Sequence, residues 1–361
     1  MSLRSLRSLR FPLALAALLS GVPGAALAQD AKPPAVSEAA EKAIRAGLDH
    51  LAKAQKEDGR FDAQIGRKVN DAFEGAKGRS VATTAVAGLA FLADGSTPGK
   101  GARGANLDRA LTWILAQSRD DGFIVADGSN VYGHAFATLF LAEVAAAGAG
   151  LRVKPALAKA VAFLAKAQND KGGWRYLPGA EDADISVTST CVVALARARD
   201  AGVEVPAPTM ERAIAYVKGS WVGDDYPNPR YRGLFWYQVI DRPFTSSRLS
   251  FALTAAAVDA LANADAPDSK ECRGGLRALV DPAWRPPVWR LKNSFDYFYG
   301  HFHAARALRR SGGETWAGWY PDVAAEVLSG QREDGSWEDL VGREHATAMA
   351  VLILASARRP E

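Results

Sequence analysis

Two aspartates separated by one residue, Asp182-Ala183-Asp184, stand just before an apolar run that begins at Ile185. In a dry pocket a carboxyl group in this place becomes a strong general acid, because burial disfavours its anion. At a solvated helix start the same group accepts the first backbone N–H groups and caps the helix. Asp184, with Asp182 beside it, is therefore the candidate catalytic residue, and the helix cap is the competing reading.

Four of the five histidines, His134, His301, His303 and His345, fall near the starts of other apolar runs. Tyr132-Gly-His134 and Tyr299-Gly-His301 occupy similar places in two repeats. These residues either contact a ligand at a cavity or hydrogen-bond loop backbone at a helix start. His301 and His303 are two apart, so on a helix they point about 200° apart and cannot chelate one ion together. Long aromatic loops are the second candidate: Trp221 to Tyr237, Trp284 to Trp289, and Phe295 to Tyr299. Their Trp236, Tyr237, Asp296 and Tyr299 combine stacking faces with polar groups, which suits a sugar ring or a peptide. Alternatively these loops pack over one end of the fold. Phosphate loops, dinucleotide fingerprints, nucleophile elbows and zinc-protease motifs are missing from the sequence. No pattern calls for a cofactor or a metal.

The elements that must position these groups follow from a repeat. Four segments join a glutamine to a glycine and an aromatic: Gln55…Gly59-Arg-Phe61, Gln117…Gly122-Phe123, Gln168…Gly172-Gly-Trp174 and Gln331…Gly335-Ser-Trp337. Each follows an amphipathic helical stretch and precedes an apolar, Ala-rich one. The order recurs as Ser37–Gln55 with Val81–Ala93, Leu107–Gln117 with Ala135–Ala147, and Pro155–Gln168 with Ser186–Ala198. It continues as Pro208–Val217 with Ser246–Ala262, a weak Arg273–Leu279 with Phe295–Arg310, and Trp316–Gln331 with Thr347–Ala355. A helix apolar on all sides is buried on all sides. Apolar helices inside and amphipathic ones outside predict an all-α, closed (α/α)6 toroid of about six helical hairpins over residues 38–357, with few strands. An open solenoid would leave the inner row exposed and would need polar end caps. In the turn, glycine takes the left-handed conformation that ends a helix, the glutamine amide meets helix-end or loop backbone, and the aromatic fills the seam between hairpins.

The Gln-x-x-x-Gly-x-Trp form at 331–337, with its near-form at 168–174, resembles the QW repeats of squalene–hopene cyclases and the wider terpene cyclase/prenyltransferase toroid superfamily. More narrowly, Tyr132 to Glu143 and Tyr297-Phe-Tyr-Gly-His301 resemble exported bacterial proteins with prenyltransferase/squalene oxidase repeats. The resemblance implies that Asp184 matches the cyclase residue that protonates an alkene, from a sequence Asp-x-Asp-Asp-Thr-Ala. Here the next aspartate is replaced by Ile185 and Thr-Ala by Ser186-Val187. The Asp-x-Cys of the zinc prenyltransferases and the thioester of complement-type toroids are absent.

Residues 1–28 read as a signal peptide: Arg4, Arg7 and Arg10, an apolar core from Phe11, and a small-residue cleavage site ending at Ala28. Residues 29–37 read as a flexible lead-in. Removing the leader takes three arginines with it, leaving 41 basic against 40 acidic side chains, so nothing in the balance points to nucleic acid. No later stretch reads as a membrane span. Cys191 and Cys272 are the only cysteines, free to pair in an oxidising compartment or to stay as one buried and one partly exposed thiol. The expectation is an exported toroid that binds a small molecule, a glycan or a protein at one mouth of the barrel. An isoprenoid cyclase using Asp184, or a carbohydrate-active barrel, is the enzymatic alternative.

Overall fold

The computed structural model describes residues 34–69, 72–128, 130–239 and 248–358. The segment read as a leader with its cleavage site, the first part of the expected lead-in and positions 240–247 lie outside the described residues. Six apolar helices form an inner ring: α2 (Val81–Ala93), α4 (Val131–Val144), α6 (Ile185–Asp200), α8 (Phe251–Asn263), α11 (Tyr297–Ser311) and α13 (Arg343–Ala355). Each packs on the next, and α13 packs back on α2, so the ring is closed. Around them run α1 (Glu38–Ala54), α3 (Gly104–Ala116), α5 (Gly150–Ala167), α7 (Ala207–Gly219), α9 (Lys270–Val280) and α12 (Gly313–Ser329), with a short α10 (Arg290–Asn293) before α11. This is the expected toroid, and the weak fifth hairpin is a full pair. The apolar stretch 131–167 turns back at Gly148 (φ +96°), so it forms an inner and an outer helix instead of one span.

The seams explain the repeat. Gly59, Gly122, Gly172 and Gly335 have φ between 81° and 93°. A Cβ on them would lie 2.3–2.6 Å from a backbone oxygen of the next outer helix, at Arg109, Lys159, Arg212 and Ala46 respectively. Only glycine fits both the conformation and the approach. Gln55, Gln168 and Gln331 each donate Nε2 to the carbonyl of their own turn's glycine and to a carbonyl of the next outer helix, at 2.8–3.0 Å. Gln331 reaches Ala43 of α1 in this way, so the device that joins neighbours also closes the ring. Gln117 sits one residue further from its glycine, and its amide returns to Trp113 of its own helix instead.

The residue two after each glycine is buried, and its backbone N–H donates into the first turns of the following inner helix. Phe61, Trp174 and Trp337 donate to the hydroxyls of Thr84, Thr188 and Thr347. By this register the second seam is filled by Ile124, not by Phe123, which instead stacks on Phe163 with centroids 4.5 Å apart. Ile124 N–H donates to His134 Nδ1, so a histidine takes the threonine's place. A fifth seam lies in the long aromatic loop. Gly233 (φ +85°) approaches the Gly274 carbonyl of α9, and Phe235, fully buried, donates its N–H to Thr254.

Two features depart from expectation. The link from α1 to α2 contains an antiparallel hairpin, β1 (Asp62–Val69) with β2 (Ala72–Arg79), in register from Asp62↔Arg79 to Val69↔Ala72. Cys272, in the first turn of α9, is buried and not partly exposed; it and Cys191 are both buried, unpaired thiols.

The barrel axis is filled. Helices α4 and α11 face each other across the ring, and their rings meet: Tyr132 with Tyr299 at 5.8 Å and Phe136 with Phe302 at 6.5 Å between centroids.

Candidate functional site

Every inner helix starts at the same end of the barrel, because outer and inner helices alternate in direction. The loops 168–184, 220–250 and 281–296 converge there, so the mouth at the inner-helix N-termini collects residues far apart in sequence. Asp184 is the N-cap of α6. It is fully buried and accepts from Val187 N–H (3.0 Å), the Ser186 hydroxyl (2.5 Å) and Arg175 Nη1 (2.9 Å). Arg175 also reaches Asp182 at 3.2 Å and donates to the Tyr237 hydroxyl at 2.8 Å. Its guanidinium lies over the rings of Tyr176 and Tyr237, whose hydroxyls meet at 3.1 Å. The 220–239 loop is fixed over α6 because Ile185 N–H donates to the Tyr237 carbonyl at 2.8 Å.

Burial pushes the Asp184 carboxyl above its usual range, while Ser186, the Val187 N–H and Arg175 pull it back. The position thus has one property of an alkene-protonating acid and lacks the other. It is desolvated, but three donors, one of them the Arg175 cation, are committed to its anion, and Tyr237 and Arg175 cover it. Both readings of Asp184 made from sequence centred on its place at a helix start, and the cap is the one visible in its hydrogen bonds.

The other sequence candidates separate. Tyr299 joins the Asp184 group, donating to the Ser186 carbonyl at 3.2 Å, and Tyr132 packs against it. Burial raises the pKa of both phenols. His134 turns both ring nitrogens to backbone. Nδ1 accepts from Ile124 and Nε2 lies 3.2 Å from the Ala160 carbonyl, so both nitrogens serve backbone, and burial lowers its pKa to about 4. His301 points outward, stacked near Tyr297 and Trp319, with Nδ1 2.8 Å from the Tyr297 carbonyl. His303 points the other way, as their spacing requires. Asp296 accepts from the Ser294 hydroxyl and lies 3.5 Å from Arg290. Trp236 leaves the Asp184 group for an aromatic cluster with Tyr226, which continues through Tyr231 to Trp284.

Directly across the ring, at the start of α13, His345 lies 3.4 Å from Asp339. Beside it is an open groove of about 590 Å³ between the base of the β-hairpin and the loop 338–344. Asp62, Gln64, Lys77, Glu338, Arg343 and Glu344 line it. Its floor is fixed by Gln64 N–H donating to the Val341 carbonyl at 2.8 Å.

Sequence reasoning missed a second buried carboxylate. Asp259, in the middle of α8, is fully buried and accepts from His303 Nδ1 (2.7 Å), Arg306 Nε (3.0 Å) and Asn263 Nδ2 (2.7 Å). A lone acid inside the run Phe251–Asn263 was the available signal. Burial holds the His303 imidazole below its usual pKa, so Arg306 is the cation of this group. Arg175 was also missed, since its partners lie at Asp184 and Tyr237, on two different loops. Among the described residues no three His, Cys, Asp or Glu side chains converge as a metal-ion set.

No family model and no curated protein matches the chain. Solved structures match its fold. The GH76A α-1,6-mannanase from Salegentibacter sp. HEL1_6 superposes with TM-score 0.65 at 9% identity, covering 88% of this chain and 98% of that one. An inactive variant of it with two adjacent aspartates changed to asparagine was captured with α-1,6-mannotriose. The type II terpene cyclase MstE from Scytonema superposes with TM-score 0.57 at 15% identity, covering 89% and 98%. A family 76 mannosidase from Bacteroides thetaiotaomicron gives 0.63 at 10% identity, covering 88% and 97%. The chain therefore has the α/α toroid fold shared by terpene cyclases and these glycosidases.

Proposed function

We propose that this protein is an exported toroid that binds a hydroxyl-rich ligand, a glycan first of all, at the mouth formed by the inner-helix N-termini. One observation carries the reading. The groove at that mouth is walled by carboxylates, an amide and cations, while rings from opposite helices fill the axis where an isoprenoid would need a dry chamber. Hydroxyl groups suit such walls, because each can donate to a carboxylate and accept from Lys77 or Arg343. A polyisoprene would leave those charges desolvated and unpaired.

The same reasoning weakens the cyclase alternative. Asp184 is held as a capping anion by Arg175, which opposes the protonated state that alkene chemistry requires. The groove favours binding over cleavage, since Asp62 and Glu338 are paired with Arg60 and Arg332 at 2.9 and 2.7 Å. The basic n-region and the Ala28 cleavage site support export.

The test is calorimetric titration of the chain from residue 29 onward with α-1,6-mannotriose, a panel of other oligosaccharides and a geranylgeranyl compound. Saturable binding of a glycan, weakened at least tenfold by Glu344→Gln or Arg343→Gln, is expected. Binding of the isoprenoid alone, or glycan binding indifferent to both changes, overturns the reading.

A further inference from the structure

The opposite mouth, where the inner helices end, carries a different chemistry. A cavity of about 300 Å³ opens there, lined by Arg197, Arg306, Arg309 and Arg310 with Glu143 and Asn263. At about 30 Å³ per water, it has room for a phosphate-sized group and part of its hydration shell.

The acids near this cavity are already engaged. Glu143 grips Arg197 in two contacts, at 2.8 and 3.1 Å. Asp259 holds Arg306 and His303. Asp200 and Asp265 lie on Arg199. That leaves Arg309 and Arg310. Arg309 donates to the Arg358 carbonyl at 3.0 Å, and neither guanidinium has a carboxylate partner among the described residues.

Helix geometry makes this costly. Positions 306, 309 and 310 stand in i, i+3, i+4 relation, so the three cations share one face of α11, and like charges at this spacing destabilise a helix. The negative helix ends at this mouth favour cations and offset part of the repulsion. They do not remove it: partial desolvation at the cavity wall, together with the Arg306 charge, pulls the Arg309 guanidinium below its usual range. A cavity next to two uncompensated arginines is a place that an anion would relieve.

We propose that this mouth binds a tetrahedral oxyanion, a phosphate group, through the guanidinium groups of Arg309 and Arg310 with Arg306 behind them. Guanidinium forks match phosphate oxygens in pairs. The phosphate can come from a soluble molecule or from a lipid headgroup, and the experiment separates these sources.

The chain from residue 29 onward is titrated with inorganic phosphate at ionic strength held constant with chloride, following its unfolding temperature and the heat of binding. In parallel it is sedimented with vesicles of phosphatidylglycerol or of phosphatidylcholine. Saturable phosphate binding that falls at least tenfold in Arg309→Gln/Arg310→Gln, and remains unchanged in the rim variant Arg199→Gln, is the expected result. Arg310→Lys should fall between, since it keeps the charge and loses the fork. Phosphatidylglycerol binding that the double variant abolishes and free phosphate competes away would assign the site to a lipid phosphate. Phosphate binding without vesicle binding would assign it to a soluble one. The double variant changes two exposed side chains, and its circular dichroism should match the parent. No saturable response beyond chloride with no vesicle binding, or binding of either kind that survives in the double variant, overturns the proposal.

Discussion

Each end of the barrel holds a fully buried aspartate bonded to an arginine, and the two ends treat the carboxylate oppositely. At the N-terminal mouth Asp184 lies at a helix start, and burial outweighs its donors and raises its pKa. At the C-terminal mouth Asp259 lies in mid-helix, where burial is greater still. Yet the Arg306 charge and the His303 and Arg306 hydrogen bonds prevail there and hold its pKa below the usual range. The difference lies in what surrounds the pair. Arg175 is shared among Asp184, Asp182 and Tyr237, whereas Asp259 receives Arg306, His303 and Asn263 together. A buried acid is therefore labile at one mouth and fixed at the other. The fixed pair ties α8 to α11 beneath the C-terminal mouth.

The largest expected effect tests that division. Asp259→Ala leaves the buried His303 nitrogen and the Arg306 guanidinium without their acceptor and should cost about 3–5 kcal/mol. Asp184→Asn keeps an N-capping side chain and loses only the ionic part of its contact with Arg175, so about 1 kcal/mol is expected. Urea unfolding of both variants at neutral pH gives the comparison directly. If Asp184→Asn proves the more damaging, the fixed carboxylate lies at the other mouth.

Acid titration sharpens the contrast next. His134 and His301 have pKa values lowered to about 4 by burial, and His303 is lowered for the same reason. The unfolded chain takes up protons first, near the ordinary histidine pKa of about 6.5, so stability falls as pH drops from there toward 4. Each of His134 and His301 contributes about 3 kcal/mol to that loss, at 1.36 kcal/mol per pKa unit. Asp184 works the other way. Its raised pKa means the folded chain binds the proton first, so acidification through that range restores stability. Asp259, with its lowered pKa, supplies stability above about pH 4 that disappears only below it. Urea midpoints at pH 7.5, 6 and 5 should therefore decline. His303→Gln should flatten the decline, and Asp184→Asn should steepen it.

The same physics decides what the sequence made legible. The hairpin order was readable because a helix apolar all round has one place to go, and α2 runs from Val81 to Ala93 as its composition predicts. The seam at Gly233 was not, because its glutamine is absent and the loop before it is filled with aromatics. The register of the second seam slipped because Phe123 is the conspicuous residue there, although Ile124 fills the slot. The β-hairpin escaped notice because Gly66, Gly75, Gly78 and several charges break its alternation. Asp184 was visible from its place before an apolar run. The Arg175 that decides its chemistry was not, because the pairing exists only once two loops meet.

A glycine pair within the loop over Asp184 offers a finer test of how rigidly that mouth is built. Gly172 and Gly179 both have positive φ, of 86° and 78°. A Cβ at Gly172 would meet the Arg212 carbonyl at 2.5 Å, and at Gly179 it would meet nothing within 4 Å. Both alanine variants carry the left-handed penalty of about 1–2 kcal/mol, but only Gly172→Ala adds displacement of α7. Thermal unfolding should place Gly172→Ala at least about 1 kcal/mol below Gly179→Ala. Equal values would mean that the seam yields, and the N-terminal mouth would then be loose as well as labile.

The smallest change asks whether the cover over Asp184 depends on one hydroxyl. Tyr237→Phe removes the acceptor for Arg175 and the contact with Tyr176, while its ring remains between Arg175 and Arg248, whose guanidinium lies 4.8 Å from the ring centroid. The loss of a partly exposed hydrogen bond should cost about 1 kcal/mol or less. The useful readout is therefore the titration of Asp184, followed by carboxyl NMR shifts. Freed from Tyr237, Arg175 can attend to Asp184 more fully, and the carboxyl pKa should fall toward the behaviour of Asp259. A carboxyl pKa that stays raised would show that burial alone sets it, and that the two mouths differ in depth and not in how their arginines are shared.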